Sequence, residues 1–187
     1  QKPHPPIVVT AVAPHSKGVT EAAKRGWTPI SANFLLPEWV ASHWPKYKEG
    51  APNGTGADWR VAKSIFVADD EKTAKEYGHG SNGPYWFYFK QLIRKLVGAG
   101  GRGNLFKLDQ SEPDSAINAD TVTPKLVIAG TVNSVVEQIL AFRQKVGPFG
   151  TLYYPCHDWV DPKLARRSMQ LMAEQVMPRV NSALKEG

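Results

Sequence analysis

Residues 7–33 read IVVTAVAPHSKGVTEAAKRGWTPISAN, and this stretch decides the fold class. It opens with an apolar, β-branched run at residues 7–10, which is typical of a buried parallel strand. Residues 16–25 then place their apolar side chains on one helical face, and Gly26 stands where a helix ends. A second strand is predicted at residues 27–33. The stretch therefore predicts a strand–helix–strand unit.

The same alternation continues towards the end of the chain. Asp70 and the pair Asp161-Pro162 are typical of helix starts, because aspartate caps free N–H groups and proline suits the first turn. Further strands are predicted at residues 59–68 and 151–154, the second of them buried. Further helices are predicted at residues 38–47, 71–77, 85–97, 130–145 and from residue 162 onward. Four β/α units result, which predicts an α/β fold with a parallel sheet and helices outside. Four units make half of an eightfold barrel, although an open doubly wound sheet has the same pattern.

Composition and charge exclude several classes of protein. The chain has 187 residues, a formal net charge of +6 and 42% apolar residues, which is typical of a globular domain and not of a collagen, coiled coil or disordered chain. The basic residues are scattered without aromatic interleaving, so we expect no nucleic-acid partner. No apolar run approaches the ~20 residues of a membrane span. The single cysteine, Cys156, forms no intramolecular disulfide, and we expect a cytoplasmic protein.

The first candidate site is the segment at residues 13–17, between the first strand and its helix. In parallel α/β folds, ligands bind outside the carboxyl ends of the strands. A helix amino terminus offers free N–H groups and a partial positive charge, which suit a phosphate. His15, Ser16 and Lys17 would add hydrogen-bond donors and charge. The alternative is that Ser16 only caps the helix.

The second candidate site follows the last strand, at residues 154–159. Its position favours a ligand pocket lined by His157 and Trp159, with a plain loop as the alternative. Cys156 and His157 are not a nucleophile pair, because neighbouring residues of an extended chain point to opposite faces.

Two other patterns are rejected as sites. The five histidines are scattered and none has metal-ligand spacing, so no metal is expected. Residues 98–103 form a GxGxxG pattern, but a predicted helix precedes it where a dinucleotide site needs a strand.

Short motifs lie in one order along nearly the whole chain. They are KPHPPI at 2–7, APHS at 13–16, AAKRG at 22–26, PIS at 29–31, AGTV at 129–132 with VV at 135–136, GTL at 150–152, RRSM at 166–169 and EQVMPR at 174–179. As an ordered set they resemble the luciferase-like, flavin-dependent monooxygenases, the family around bacterial luciferase.

The resemblance implies a (β/α)8 TIM barrel, of which residues 1–187 form the carboxyl-terminal half, roughly strands five to eight. The chain lacks an initial methionine and reaches a strand at residue 7, which indicates a processed or truncated product; a short protein without its methionine is the alternative. A lone half-barrel would expose two edge strands. We therefore expect it to need the missing amino-terminal half, as a cleaved partner, or a second copy.

The segment at residues 78–123 would then be a lid or excursion between strands seven and eight. Its aromatic side chains could close over an apolar substrate, or they could simply pack within the helix. They are Tyr85, Trp86, Phe87 and Phe89.

The resemblance implies reduced FMN, or in some branches a deazaflavin, at the carboxyl face of the barrel. Bacterial luciferase has a Glu-Ser pair near its phosphate loop, where this chain has proline and histidine. Carried over to this sequence, the flavin phosphate falls on Ala13, Pro14, His15 and Ser16, and the flavin ring falls on Ala32 and Asn33.

The implied activity is insertion of one oxygen atom from O2 into a small, apolar organic substrate, with a separate flavin reductase supplying the reduced flavin. Much of the family's catalytic equipment lies in the first half of the barrel. We therefore assign no catalytic residue and expect this half alone to be inactive. The alternatives are a non-catalytic flavin-binding protein and a deazaflavin-dependent dehydrogenase on the same scaffold.

Overall fold

A computed structural model describes residues 2–157 and 160–186. The chain divides into two compact units, one of Gln1–Lys63 with Arg143–Tyr154 and one of Ser64–Phe142 with Pro155–Gly187. None of the helices in the described ranges is long and apolar enough to cross a membrane.

The elements alternate along the chain as the sequence predicts. The strands are β1 (Val8–Ala11), β2 (Thr28–Ser31), β3 (Arg60–Ala62), β4 (Ser64–Val67), β5 (Val127–Gly130) and β6 (Thr151–Tyr153). The α-helices are α1 (Lys17–Lys24), α2 (Pro37–Ala41), α3 (His43–Gly50), α4 (Glu71–Gly78), α5 (Pro84–Ile93), α6 (Ala119–Leu126), α7 (Val132–Val146), α8 (Pro162–Leu171) and α9 (Met177–Glu186). Two π-helical segments, Arg94–Ala99 and Met172–Val176, follow α5 and α8, and short 3-10 turns cover Gly103–Leu105 and Asp114–Ala116.

The first unit is built on a four-stranded parallel sheet in the order β1-β2-β3-β6. Its register places Thr10, Ile30, Arg60 and Thr151 side by side across the four strands. Helix α1 packs on β1 and β2, and α3 packs on α1. The predicted parallel α/β arrangement is confirmed, because all three strand pairs of this sheet are parallel and helices lie between its successive strands along the chain.

The prediction of fully buried strands at residues 7–10 and 151–154 is wrong. Val8 is 45% exposed and Tyr153 is 52% exposed, whereas Ala11 and Val61, which face the helices, are buried. Successive side chains of a strand point to opposite faces, and the helices of this unit cover one face. We call the other side of the sheet the open face; it carries Val8, Thr10, Thr28, Ile30, Arg60, Ala62, Thr151 and Tyr153, of which Ala62 is buried.

The second unit contains the parallel pair β4 and β5, with Ser64 beside Val127 and Val67 beside Gly130. Both strands are buried along their whole length. The core around them is rich in aromatic and aliphatic side chains, among them Phe66, Phe89, Phe106, Leu105, Leu126 and Ile139.

Two predicted elements are divided in the structure, and two elements, β5 and α6, were not predicted. The strand at residues 59–68 is divided at Lys63, because its first part pairs with β6 and its second part with β5. The helix at residues 38–47 is divided at Ser42, because Pro45 has no N–H to donate to the carbonyl of the preceding turn. Strand β5 was not predicted, since its four apolar residues run directly into α7.

Both predicted caps are confirmed. Asp70 Oδ1 accepts a hydrogen bond from the backbone N–H of Thr73 at 2.8 Å. Asp161 Oδ1 accepts from the backbone N–H groups of Lys163 and Leu164 at 2.8 and 3.1 Å. These bonds satisfy donors that a helix start leaves unpaired.

The cap at α8 gives a stability prediction. Asp161→Ala should lower the free energy of unfolding by about 1 kcal/mol, because two N–H groups lose their acceptor. Asp161→Asn retains a side-chain oxygen and should lose less than half as much. Urea unfolding followed by circular dichroism measures both changes, and an equal loss for the two variants would contradict the capping role.

Candidate functional site

The two segments predicted to bind a flavin lie at one edge of the sheet in the first unit. They follow β1 and β2, which are adjacent parallel strands, so their carboxyl ends meet. The N–H of Ala32 donates to the Ala11 carbonyl at 3.0 Å and continues the pairing past the strands. We call these residues the carboxyl-edge site: Ala13, Pro14, His15, Ser16, Ala32 and Asn33.

The loop from β1 into α1 presents polar groups. His15 has a φ of 51°, in the left-handed region, and turns the chain into the helix. Ser16 occupies the N-cap position, but within the described residues its side chain makes no capping hydrogen bond. The alternative that Ser16 only caps the helix is therefore not supported, because its side chain does not cap α1 in the described part of the chain. The first turn of α1 carries Lys17 and no acidic residue, so no carboxylate of that turn competes for its N–H groups.

Two residues at the junction between α2 and α3 hold this loop by hydrogen bonds. The backbone N–H of His15 donates to Ser42 Oγ at 2.8 Å. The Nε2 atom of His43 lies 2.8 Å from the carbonyl oxygen of Ala13. Ser42 and His43 thus form hydrogen bonds with the peptide groups on both sides of Pro14.

The hydrogen bonds around His43 determine where its proton lies. A carbonyl oxygen only accepts, so Nε2 carries the proton and donates to Ala13. The Nδ1 atom then accepts from Ser31 Oγ at 2.8 Å, and Ser31 Oγ accepts from Trp59 Nε1 at 2.9 Å. Burial of the ring lowers the pKa of His43, which favours this neutral form. We call His43, Ser31, Trp59 and the Ala13 carbonyl the His43 network.

A buried lysine stands at the carboxyl end of β3. Lys63 is 3% exposed, and its burial lowers the pKa of the ammonium group to about 7. The charge of Glu38 opposes this shift. Glu38 itself forms an ion pair with Lys145 of α7.

Sequence reasoning missed Ser42, His43 and Lys63. For Lys63 there was a signal, since it interrupts the apolar run of residues 61–68. For Ser42 and His43 there was none, because a serine and a histidine within a helical pattern read as ordinary helix residues.

The second unit contains a cavity of about 470 Å³. This volume lies within the usual 300–1,000 Å³ of small-molecule pockets. Much of the wall comes from one face of α5 and its π-helical continuation, at a spacing of three and four residues. The lining residues are Pro84, Phe87, Tyr88, Gln91, Leu92, Lys95, Cys156, His157 and Val160.

The structure places His157 on the wall of this cavity. Its Nε2 atom lies 3.0 Å from Ser64 Oγ, and its ring contacts Tyr85 and Tyr88 at centroid distances of 4.9 and 4.5 Å. These contacts fix the direction of the imidazole. Trp159, the other predicted pocket residue, lies outside the described residues.

The aromatic residues of the predicted lid differ in what they contact. Tyr85 and Phe89 are buried, and the Tyr85 hydroxyl donates to the Ile65 carbonyl at 2.7 Å, so both pack within the unit. Trp86 donates to Asp120 at 2.8 Å. Phe87 is 59% exposed and is the member of the set that lines the cavity.

No three histidine, cysteine, aspartate or glutamate side chains come together as a metal site in residues 2–157 and 160–186. The carboxyl-edge site and the adjacent start of α1 instead suit an anion, through N–H groups, the hydroxyl of Ser16 and the charge of Lys17.

Comparison with known proteins finds relatives among monooxygenases, although no family model matches the chain. It is 25% identical over 181 residues to 3,6-diketocamphane 1,6-monooxygenase of Pseudomonas putida, covering 94% of this chain and 47% of that protein. It is 27% identical over 192 residues to 4-hydroxyprotoasukamycin monooxygenase of Streptomyces nodosus subsp. asukaensis, covering 96% and 48%. The chain thus spans about half the length of the curated relatives it matches.

Solved structures with the same fold include flavin and deazaflavin enzymes. The oxygenating constituent of the P. putida 3,6-diketocamphane monooxygenase, in complex with FMN, superposes with a TM-score of 0.77 at 25% identity, covering 94% of this chain and 49% of that chain. The coenzyme F420 dependent tetrahydromethanopterin reductase of Methanopyrus kandleri superposes with a TM-score of 0.59 at 16% identity, covering 94% and 51%. The predicted α/β fold class is confirmed by these matches.

The buried Lys63 gives a pH prediction. Between pH 7 and 10.5 the unfolded chain binds a proton at this residue that the folded chain does not, so stability rises with pH there, by up to about 1.4 kcal/mol per pH unit. Lys63→Met removes this contribution. Between pH 7 and 9, the free energy of unfolding should therefore rise more in the parent than in Lys63→Met.

Urea unfolding at several pH values tests this, with the exposed Lys72→Met as the charge-matched control. The control should follow the parent at every pH. A constant difference between the parent and Lys63→Met from pH 7 to 9 would show that Lys63 keeps an ordinary pKa in the folded protein.

Proposed function

We propose that this chain provides the flavin-phosphate site of a luciferase-like flavin-dependent monooxygenase, because its curated relatives are monooxygenases and one solved structure that it resembles holds FMN. The enzyme would insert one oxygen atom of O2 into a small, apolar organic substrate using reduced FMN. The observation that carries the proposal is the carboxyl-edge site, where an uncapped helix start follows β1 in a chain that matches an FMN complex.

The side chains of the carboxyl-edge site fit a phosphate. The N–H groups at the start of α1 and the hydroxyl of Ser16 donate hydrogen bonds, and Lys17 supplies charge. The Nε1 of Trp39 is a buried donor with no hydrogen-bond partner among the described residues. Its ring meets the ring of His15 edge to face at 6.3 Å, so a further donor lies beside the loop.

The flavin ring would lie along Ala32 and Asn33, which follow β2 at the same edge. When bound, reduced flavin supplies the group that transfers oxygen, and the protein supplies orientation and exclusion of water. Ala32 is buried, so it offers the ring a backbone and a small apolar surface.

The cavity of the second unit is the proposed substrate pocket. Phe87, Leu92 and Val160 give it apolar walls, which suit an uncharged organic molecule. His157, fixed by Ser64 and two tyrosine rings, and Gln91 give it polar groups that could orient an oxygen of the substrate. Residues 78–123, which contribute much of the wall, would act as a lid over it.

The open face of the sheet supports a need for a further polypeptide. Val8 and Tyr153 lie on its two outer strands and are about half exposed, which favours association. We propose that an amino-terminal half of a barrel, or a second copy of this chain, covers this face, and that the chain alone does not turn over. A separate flavin reductase would supply reduced FMN, and a cytoplasmic location stays a prediction.

A deazaflavin-dependent dehydrogenase is the second candidate, since an F420-dependent enzyme shares the fold. Reduced FMN with O2 separates the two, because only a monooxygenase adds an oxygen atom to an organic product. A non-catalytic flavin-binding protein would bind FMN and give no product after the barrel is completed.

The phosphate site is tested by comparing FMN with riboflavin, which lacks the phosphate. His15→Ala combined with Ser16→Ala should weaken FMN binding about tenfold or more, because donors to a charged group are lost. Riboflavin binding should change little. Fluorescence titration of both ligands measures the two dissociation constants.

The control for this pair is His4→Ala with Ser81→Ala, which removes an exposed histidine and an exposed serine elsewhere. The control should keep the affinity of the parent for both ligands. Equal loss of FMN and riboflavin binding in the site variant would remove the phosphate role.

The proposed partner is tested by sedimentation. The chain alone should form species larger than its 20.6 kDa monomer, because each outer strand of the open face exposes a large apolar side chain, Val8 or Tyr153. Tyr153→Lys should shift it towards the monomer, and Leu184→Lys, which charges an exposed leucine of α9, should not. A parent that sediments as a monomer and melts cooperatively would contradict the need for a second half.

A further inference from the structure

We propose that His43 is a positioning residue for the flavin-phosphate loop, acting through its hydrogen bond to the Ala13 carbonyl. The inference rests on the proposed function of the carboxyl-edge site. It adds a residue that lies behind the site and is 0% exposed.

The peptide group between Ala13 and Pro14 is the part of this loop least suited to binding an anion. Proline has no N–H, so this group offers a carbonyl oxygen and no donor. A carbonyl oxygen turned towards a phosphate would repel it and compete for the nearby N–H groups. His43 Nε2 holds that oxygen at 2.8 Å, away from the loop's exposed side.

The peptide group that follows Pro14 is held by the adjacent residue. Ser42 Oγ donates to the Trp39 carbonyl at 2.6 Å, so its lone pairs face the N–H of His15, which donates to it at 2.8 Å. The orientation of the loop is thus set on both sides of Pro14 by residues 42 and 43. Removal of either bond should release the turn at His15, whose φ of 51° is an uncommon conformation for a residue other than glycine.

The hydrogen bonds of the His43 network all run in one direction, towards the Ala13 carbonyl. Trp59 donates to Ser31, Ser31 donates to His43, and His43 donates to Ala13. Each bond in such a chain polarises the next. Trp59, Ser31 and His43 are buried and each donates its proton within the network. An alternative tautomer of His43 would therefore leave two acceptors facing each other at Ala13.

Two substitutions separate positioning from simple filling of the core. In His43→Gln the side-chain amide nitrogen reaches the place of the imidazole Nε2, so the donor to Ala13 is retained. In His43→Asn the shorter side chain reaches only the place of Nδ1, and that donor is lost. We expect His43→Asn to weaken FMN binding about tenfold with riboflavin binding unchanged, and His43→Gln to stay within about threefold of the parent for both.

Ser31→Ala is the second variant, in case His43→Asn does not fold. It removes the donor that fixes the tautomer and leaves the imidazole in place, so it should also lower the preference for FMN over riboflavin. His79→Asn is the matched control, because His79 Nε2 likewise lies 3.0 Å from a backbone carbonyl, that of Val127 in the second unit. The control should keep the preference of the parent.

Hydrogen exchange of the His15 amide gives a readout without flavin. It should be faster in His43→Asn than in His43→Gln, because the loop held by Ser42 opens more often when Ala13 is released. Both titrations and the exchange measurement use the complete 187-residue chain.

The outcomes separate this inference from the function on which it rests. Loss of FMN preference in His43→Asn with rescue in His43→Gln supports it. Equal effects of the two variants on both ligands, or a preference that neither variant changes, overturn it while the phosphate site stands. A parent that binds FMN no better than riboflavin overturns the phosphate site and the role of His43 together.

Discussion

Parallel pairing of β1 with β2 is the constraint on which the candidate site depends. Because both strands run in one direction, the segments that follow them leave the sheet at the same edge. Residues 13–16 and 32–33, which are 16 or more positions apart in sequence, are thereby brought to one ligand-sized region. Loss of the β1–β2 register would separate them, whatever the local conformation of either loop.

Buried, hydrogen-bonded polar groups hold three parts of the first unit in a single arrangement. His43 and Ser31 are 0% exposed, and burial of such groups is costly unless they are hydrogen-bonded. The network satisfies both nitrogens of His43 and ties helix α3, strand β2 and the loop at Ala13 into one arrangement. Lys63 is also buried, and its burial disfavours the charged form of the side chain.

The sequence was sufficient where local chemistry determines structure. The strand–helix–strand stretch at residues 7–33, the aspartate caps at Asp70 and Asp161 and the helix end at Gly26 follow from patterns within a few residues. Burial of β1 was predicted wrongly, because an apolar run indicates a strand but not how many of its faces are covered. Strand β5 was missed because four apolar residues before a helix carry no signal of their own.

Prediction of the site divides in the same way. The position of His15 and Ser16 at a strand end and a helix start could be read from the sequence. Their support by Ser42 and His43 could not, since it depends on contacts across 27 and 30 positions of chain. The cavity could be predicted in part. His157 was expected to line a pocket, but for Phe87 the sequence left open whether the ring covers a substrate or packs within the helix.

The most direct test is an experimental structure of the chain bound to FMN, completed by its partner if one is required. We predict the phosphate at the amino terminus of α1, within hydrogen-bond distance of Ser16, with the Ala13 carbonyl still bound by His43. A phosphate bound elsewhere, with residues 13–16 free of ligand, would contradict the proposed site.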